Sequence, residues 1–162
     1  MTTLEATYTA SLTRPRQVRA IRVVPKRSNY IATKVARNRS LDHAMRQLGD
    51  IHGASKASID QMRACLQRVL TDEMAYASLS NDGNGGTLAQ WRAGRSYIAF
   101  EVNPHDGDSL VYADTSGQIV INTVGIEACD TGRLHVALQQ FTADLNARKP
   151  GWRAVRESHG RR

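Results

Sequence analysis

Four short runs of residues that favour β-strands follow one another in the second half of the chain. They occupy residues 87–92, 96–103, 109–114 and 118–124, and only three to five residues separate each run from the next. Each separating segment contains a glycine, which accepts the backbone angles that tight turns require. Connections this short join antiparallel neighbours, because a parallel pair needs a crossover of about a dozen residues or more. The pattern therefore predicts a four-stranded antiparallel meander.

The second of these runs shows which face of the sheet is buried. Ile98, Phe100 and Val102 alternate with the less apolar residues between them. Alternate residues of a strand lie on the same face, so these three side chains are predicted to face the core.

Two longer stretches carry apolar residues at three- and four-residue steps, which is the spacing of one helix face. A helix is predicted over 58–77, beginning at a capping-box sequence at Ser58 with Ser55 as an alternative start, and another over 131–147. A shorter helix is predicted to follow Ser40 and to stop at Gly49. The fold class predicted is α+β: a four-stranded antiparallel meander packed against two amphipathic helices, with a basic extended N-terminal arm and a basic C-terminal tail.

The composition restricts the class of protein. The chain has 162 residues, which suits one folded domain, and it contains no apolar run near the ~20 residues that cross a bilayer. It also lacks the apolar core of a secretory signal, so a soluble, cytoplasmic protein without a membrane partner is expected. The two cysteines, Cys65 and Cys129, are too few for a disulfide framework.

The charge is distributed very unevenly along the chain. The formal charge is +7, but residues 1–40 carry +8, residues 41–147 carry −6 and residues 148–162 carry +5. Clustered cations of this kind displace counterions from phosphates, whereas evenly spread charge mainly aids solubility. The predicted organisation is a basic N-terminal arm over 1–40 with strand-forming stretches, an α+β core domain over 41–149 and a basic C-terminal tail over 150–162.

The basic ends supply the candidate binding residues. They are predicted to contact nucleic acid or another acidic partner, with Tyr30 available for stacking on a base. The candidates are Arg14, Arg16, Arg19, Arg22, Lys26, Arg27, Tyr30, Lys34, Arg37, Arg39, Arg153 and Arg156. Two alternatives stay open, namely that these residues are simply solvated, or that they neutralise acidic residues of the same chain such as Asp60, Asp72 and Glu73.

Catalytic and metal-binding patterns are weaker. Residues 105–108 contain His105, Asp106 and Asp108, which are ligand-type groups, but the same residues are typical of a tight turn, and the turn is favoured. Cys129 precedes a predicted helix start, where the helix dipole favours a thiolate, yet no partner base is evident. The sequence therefore predicts no enzymatic activity, no metal and no cofactor.

The function predicted on these grounds is that of a non-enzymatic binding module whose basic termini engage RNA, DNA or a nucleoprotein complex. The alternative is a small inhibitor or adaptor, of the type carried by mobile elements, that binds a protein partner such as a nucleic-acid-processing complex. An acidic protein is a further candidate partner. No helix-turn-helix, zinc-finger or RNA-recognition signature is present, so sequence-specific reading of bases is not indicated.

One stretch resembles a pattern found in other proteins. Gly85, Gly86, Trp91 and Gly94 match G-G-x-x-x-x-W-x-x-G, and an apolar strand and the turn at Asp106-Gly107 follow. This resembles small uncharacterised bacterial proteins in which a helix precedes such a hairpin, over about residues 59–121. Those proteins usually have an acidic residue before the tryptophan, where this chain has Gln90. The resemblance implies the order of helix and meander, and it implies no activity.

Overall fold

The computed structural model describes residues 38–126 and 130–159, which form an α+β fold. The helices are α1 (Arg39–Gly49), α2 (Lys56–Val69), α3 (Thr131–Arg148) and α4 (Trp152–His159), and the strands are β1 (Ser78–Asn81), β2 (Thr87–Ala93), β3 (Ser96–Val102), β4 (Asp108–Ala113) and β5 (Ile119–Ile126). The strands form one antiparallel sheet in the order β1-β2-β3-β4-β5. None of the helices in the described ranges is both long enough and apolar enough to cross a membrane.

The antiparallel meander is confirmed, but the described residues form a sheet of five strands where four were predicted. The additional strand is β1, which pairs with β2 from Ser78 opposite Gln90 to Asn81 opposite Thr87. Three of its four residues are polar, and its side chains are mostly exposed. Because its sequence does not alternate between apolar and polar residues, this strand could not be predicted from hydrophobic periodicity. It forms because its backbone pairs with β2 and because it packs against α1.

The first predicted amphipathic helix is too long at its C-terminal end. α2 begins after Ser55, the alternative start, whose hydroxyl accepts a hydrogen bond from the Ser58 amide (3.1 Å), and it ends at Val69 rather than at residue 77. Leu70 adopts an extended conformation, and the chain from there to Ala77 is largely buried.

Side chains distant in sequence hold the backbone of this buried connection between α2 and β1. The Ser40 hydroxyl donates to the Met74 carbonyl (2.6 Å), and the Trp91 indole donates to the Ala75 carbonyl (2.9 Å). The Ala75 amide donates to the Thr142 hydroxyl (3.1 Å). These bonds satisfy backbone groups that would otherwise be buried without partners, so the chain can leave the helix here without that penalty.

The core lies between one face of the sheet and the helices α2 and α3. Ile98, Phe100 and Val102 are each at most 1% exposed, which confirms the predicted alternation of β3. They pack with the apolar faces of α2 and α3 in one continuous cluster whose largest buried side chains are Trp91, Phe100 and Phe141. The two amphipathic helices therefore cover the same side of the sheet, as predicted.

The structure describes the residues at which each predicted basic end joins the α+β fold. α1 begins at Arg39 with Asn38 as its N-cap, where the side chain accepts from the Leu41 amide (3.0 Å). The strand-forming stretches predicted in the N-terminal arm lie outside the described residues. At the other end, α4 occupies much of the segment that was predicted as a tail, and Trp152 at its start packs against the core.

Candidate nucleic-acid interface

The structure describes three of the twelve candidate binding residues. Those from Arg14 to Arg37 lie outside the described residues. Arg156 belongs to α4, and Arg39 and Arg153 are described with their side chains.

Arg39 is engaged within the molecule. Its guanidinium donates to both carboxylate oxygens of Asp72 (3.1 and 3.2 Å), and its backbone amide donates to the same carboxylate (2.9 Å). These bonds, together with a smaller contribution from the positive charge of Arg153, hold the pKa of Asp72 below its ordinary value. Arg39 is thus paired with an acidic residue of its own chain, which favours the self-neutralisation alternative over contact with a phosphate at this position.

Five other cations lie on elements that meet at one corner of the fold. They come from β2, from the β2–β3 turn, from the end of α3 and from the start of α4, and they are named here the basic corner. Its members are Arg92, Arg95, Arg148, Lys149 and Arg153. Only Arg153 was among the candidates drawn from the sequence. Arg92 and Arg95 were counted in the acidic central segment, and Arg148 and Lys149 were not selected although they belong to the basic segment over 148–162.

Local structure brings these elements together. Gly94, in the two-residue turn between β2 and β3, has a φ of +61°, which favours glycine, and its open side lies against the Arg148 guanidinium. Arg148 donates to the Ala93 carbonyl (3.4 Å) and to the Ser96 hydroxyl (2.8 Å). These bonds tie the end of α3 to the hairpin and place its cations beside Arg92 and Arg95.

A groove of about 280 Å³ opens at the basic corner. Phe141 and Leu145 contribute apolar lining, while Arg92 and Lys149 contribute cationic groups. Trp152 also lines the groove, and it is fixed by a hydrogen bond from its indole to Asn146 Oδ1 (2.8 Å). The groove therefore combines an aromatic surface with flanking positive charge.

Trp152 is held between two partners. It meets the Tyr76 ring edge-on at 5.4 Å between centroids, and the Arg153 guanidinium carbon lies 5.1 Å from the centre of its ring. The latter distance is within the range of a cation–π contact. Trp152 is half-buried, so part of its surface remains open to a ligand.

Within the described residues, carboxylates near the basic corner form no ion pair with it, although the charge of Arg153 acts on Asp72 and Arg153 lines a surface pocket with Glu73. No ion pair joins any of the five side chains to another residue within the ranges that the structure describes, whereas Lys56 and Arg63 pair with Asp60, and Arg133 pairs with Asp130. The Nε of Arg153 is buried and has no hydrogen-bond partner among the described residues, so it is out of reach of a ligand. An anion from outside can approach the exposed members of the corner, which are Arg92, Arg95, Arg148 and Lys149.

The opposite end of the β2–β3 pair carries negative charge. Asp82 precedes β2, Glu101 lies near the end of β3, and Asp106 lies in the β3–β4 turn; these three residues are named the acidic end. Burial, and after it the negative charges of Asp82 and Asp106, raise the pKa of Glu101 above its ordinary value. Electrostatically, the domain is thus polarised along its strands.

The raised pKa predicts how stability depends on pH. The folded chain binds the Glu101 proton more tightly than the unfolded chain, so the associated stability is present below the unfolded pKa of about 4.3 and is lost as the pH rises through the folded pKa. Glu101→Gln cannot ionise and is expected to raise the melting temperature at neutral pH, with a gain that disappears below about pH 4. Melting followed by circular dichroism across this pH range measures the effect.

Glu73→Gln is the matched control for this experiment, because Glu73 is exposed and lies outside the acidic end. It is expected to leave the melting temperature nearly unchanged. A gain for Glu101→Gln that is equally large in acid would contradict the electrostatic origin.

The possible metal ligands at residues 105–108 belong to a tight turn and to the buried start of β4. Residues 103–107 form the tight β3–β4 turn, in which Asn103 Oδ1 accepts from the His105 amide (2.9 Å). Asp108 points inward and accepts from Gln61 (3.0 and 3.2 Å). Across residues 38–126 and 130–159, no group of three or more His, Cys, Asp or Glu residues is placed to hold a metal ion. Cys65 is buried in α2, and Cys129 lies outside the described residues.

No protein-family model matches the chain, and comparisons with curated proteins and with solved structures find no similar protein. The resemblance of the hairpin pattern to small bacterial proteins stays a prediction. Inference about function therefore rests on the geometry and charge of the domain.

Proposed function

We propose that this protein is a non-enzymatic nucleic-acid-binding module that contacts the phosphates of a single strand through its basic corner. The observation that carries the proposal is a groove in which Trp152 lies beside the cationic side chains of Arg92 and Lys149. The other three cations of the basic corner lie on the adjoining elements, and none of the five is in an ion pair with a described residue. Arginine suits this role because its planar guanidinium donates two parallel hydrogen bonds to a phosphate.

The aromatic component favours a single strand over a duplex. Bases of a single strand are free to stack on an aromatic ring, and positive charge beside that ring follows the backbone. Trp152 and the neighbouring Lys149 offer this combination in one groove. The N-terminal segment adds positive charge at the level of sequence, with eight lysine and arginine residues before residue 38, and would increase affinity without selecting a base sequence.

The test is a pair of matched double variants. Arg92→Ala with Arg95→Ala removes two cations from the basic corner, while Arg46→Ala with Arg68→Ala removes two exposed cations from α1 and α2. Both variants lose the same net charge. Binding is measured by the fluorescence anisotropy of labelled mixed-sequence RNA and DNA, as single strands and as duplexes.

The corner variant is expected to bind a single strand about 25-fold more weakly at ~0.1 M salt, because each lost phosphate contact costs a factor of about five there. Its plot of log affinity against log salt should be shallower by about 1.4. The control variant should change affinity less than about threefold, through long-range charge alone.

Equal weakening by both variants would show that the positive charge acts diffusely, and the assignment to the basic corner would be wrong. The absence of binding to any of the nucleic acids would overturn the proposal itself. Recovery from cells of a defined protein partner that survives nuclease treatment would then favour the inhibitor or adaptor alternative.

A further inference from the structure

The strand β5 is an unusual sheet edge. Among the residues that the structure describes, it pairs with β4 on one side only, and its eight residues make it the longest of the described strands. It contains no charged residue and no proline. Sheet edges are commonly protected by charges, prolines or shortness, because an unpaired edge is a template for another strand.

Exposed apolar side chains are concentrated at this edge. Five large hydrophobic side chains are exposed among the described residues, and four of them lie here: Ile119 (56%), Val120 (56%) and Val124 (75%) on β5, and Val136 (63%) on α3. The other edge strand, β1, has only four residues, mostly polar, and packs beside α1. The asymmetry marks the β5 edge as a surface for association.

The bulges of β5 lie towards its two ends. The register shifts between Asp108 and Ser109 and between Tyr112 and Ala113 of β4, so the stretch from Ile121 to Val124 pairs regularly. This regular stretch is centred close to Asn122. A partner strand can therefore extend the ladder through the middle of β5.

We propose that β5 pairs antiparallel with β5 of a second copy of this chain, about a twofold axis at Asn122. In that register Val120 of one copy lies opposite Val124 of the other, and Asn122 lies opposite its own counterpart. A neutral strand can meet itself without placing like charges face to face. The strand is therefore self-complementary, which is the property that a twofold interface requires.

The helix layer contributes to the same interface. A groove of about 460 Å³ lies between β5 and α3, and Val120, Ile121, Val136 and Ala137 line part of it. The twofold axis brings this side of α3 towards its counterpart. At 3.4 Å per residue the strand is ~27 Å long, and with the helix layer the contact buries roughly 600 Å² per copy, near the lower end for stable interfaces. The dimer should therefore dissociate on dilution.

The experiment is sedimentation velocity of the full chain after nuclease treatment, at ~0.5 M salt and from about 1 to 200 μM protein. High salt screens contacts with residual nucleic acid, while apolar strand pairing persists, so the result does not depend on the proposed function. The expected result is a shift with concentration from a 17.9 kDa species to one of twice that mass. A monomer at every concentration would overturn the proposal.

Variants then test the register. Val124→Lys is expected to raise the dissociation constant at least ~30-fold, because it buries an unpaired charge at the interface. Ser78→Lys, on the opposite edge strand β1, is the matched control and should leave dimerisation unchanged. Adding Val120→Glu to Val124→Lys should restore the dimer, since the twofold pairing then places each Lys opposite a Glu.

Circular dichroism establishes that each variant is folded. If Val124→Lys disturbs the sheet, Val136→Glu on the exposed surface of α3 supplies the same test without altering β5, and it should also yield a monomer. Dimerisation that persists in this variant and in folded Val124→Lys would contradict the proposed interface, as would equal loss with Ser78→Lys.

Discussion

Trp91→Ala is expected to lower the free energy of unfolding by about 3–5 kcal/mol, the range for truncating a large aromatic residue in a core. Trp91 is 1% exposed and is among the largest buried side chains of the domain. Its indole also donates to the Ala75 carbonyl (2.9 Å), within the buried connection between α2 and β1. The substitution therefore leaves a cavity and an unsatisfied carbonyl at the same place.

Urea unfolding followed by circular dichroism measures this loss. Gln90→Ala is the matched control, because Gln90 is the preceding residue of β2 and is exposed, and it should change stability by no more than ~0.5 kcal/mol. Trp91→Phe keeps most of the apolar volume and is expected to cost less than the alanine variant. A decrease in the free energy of unfolding of less than about 1 kcal/mol for Trp91→Ala would mean that Trp91 contributes little to the stability of the core.

Binding of a single-stranded oligonucleotide is expected to weaken about 300-fold when salt rises from ~50 to ~200 mM. This follows if about six phosphates are neutralised, since log affinity falls with log salt by roughly 0.7 per phosphate on a single strand. The five cations of the basic corner and one from the basic N-terminal segment would supply that number.

Anisotropy titrations at several salt concentrations give the slope directly. The variant with Arg92→Ala and Arg95→Ala serves as the internal comparison, because its slope should fall while that of the variant with Arg46→Ala and Arg68→Ala should not. A change of less than about sevenfold over the same salt range would correspond to fewer than two phosphates, and it would be incompatible with the proposed interface.

The meander and the helix faces were predictable because they depend on neighbouring residues. Short glycine-containing gaps select antiparallel turns, and Leu134, Leu138 and Phe141 mark the face of α3 by spacing alone. The end of α2 was not predictable in this way. Tyr76 continues the helical spacing of the preceding residues, but hydrogen bonds from Ser40 and Trp91, which are remote in sequence, favour the extended path.

The basic corner was only partly predictable, for a related reason. Counting charge by segments identified the basic C-terminal end that includes Arg153, but it placed Arg92 and Arg95 in a segment with net negative charge. The 18 residues of α3 return the chain to the β2–β3 turn, where Arg148 bonds to Ala93. The net charge of a sequence segment combines residues that lie far apart in the fold, and it leaves out residues of other segments that lie close by.

The strand order has a consequence for how the chain folds. Each strand pairs with the one made just before it, so the sheet assembles through short loops, and chains with local contacts of this kind fold faster than those with distant pairings. The core is completed only by α3, which follows all five strands. During synthesis, Ile98 and Phe100 therefore emerge well before the helix that helps to cover them, and the last third of the chain determines when that apolar face is protected.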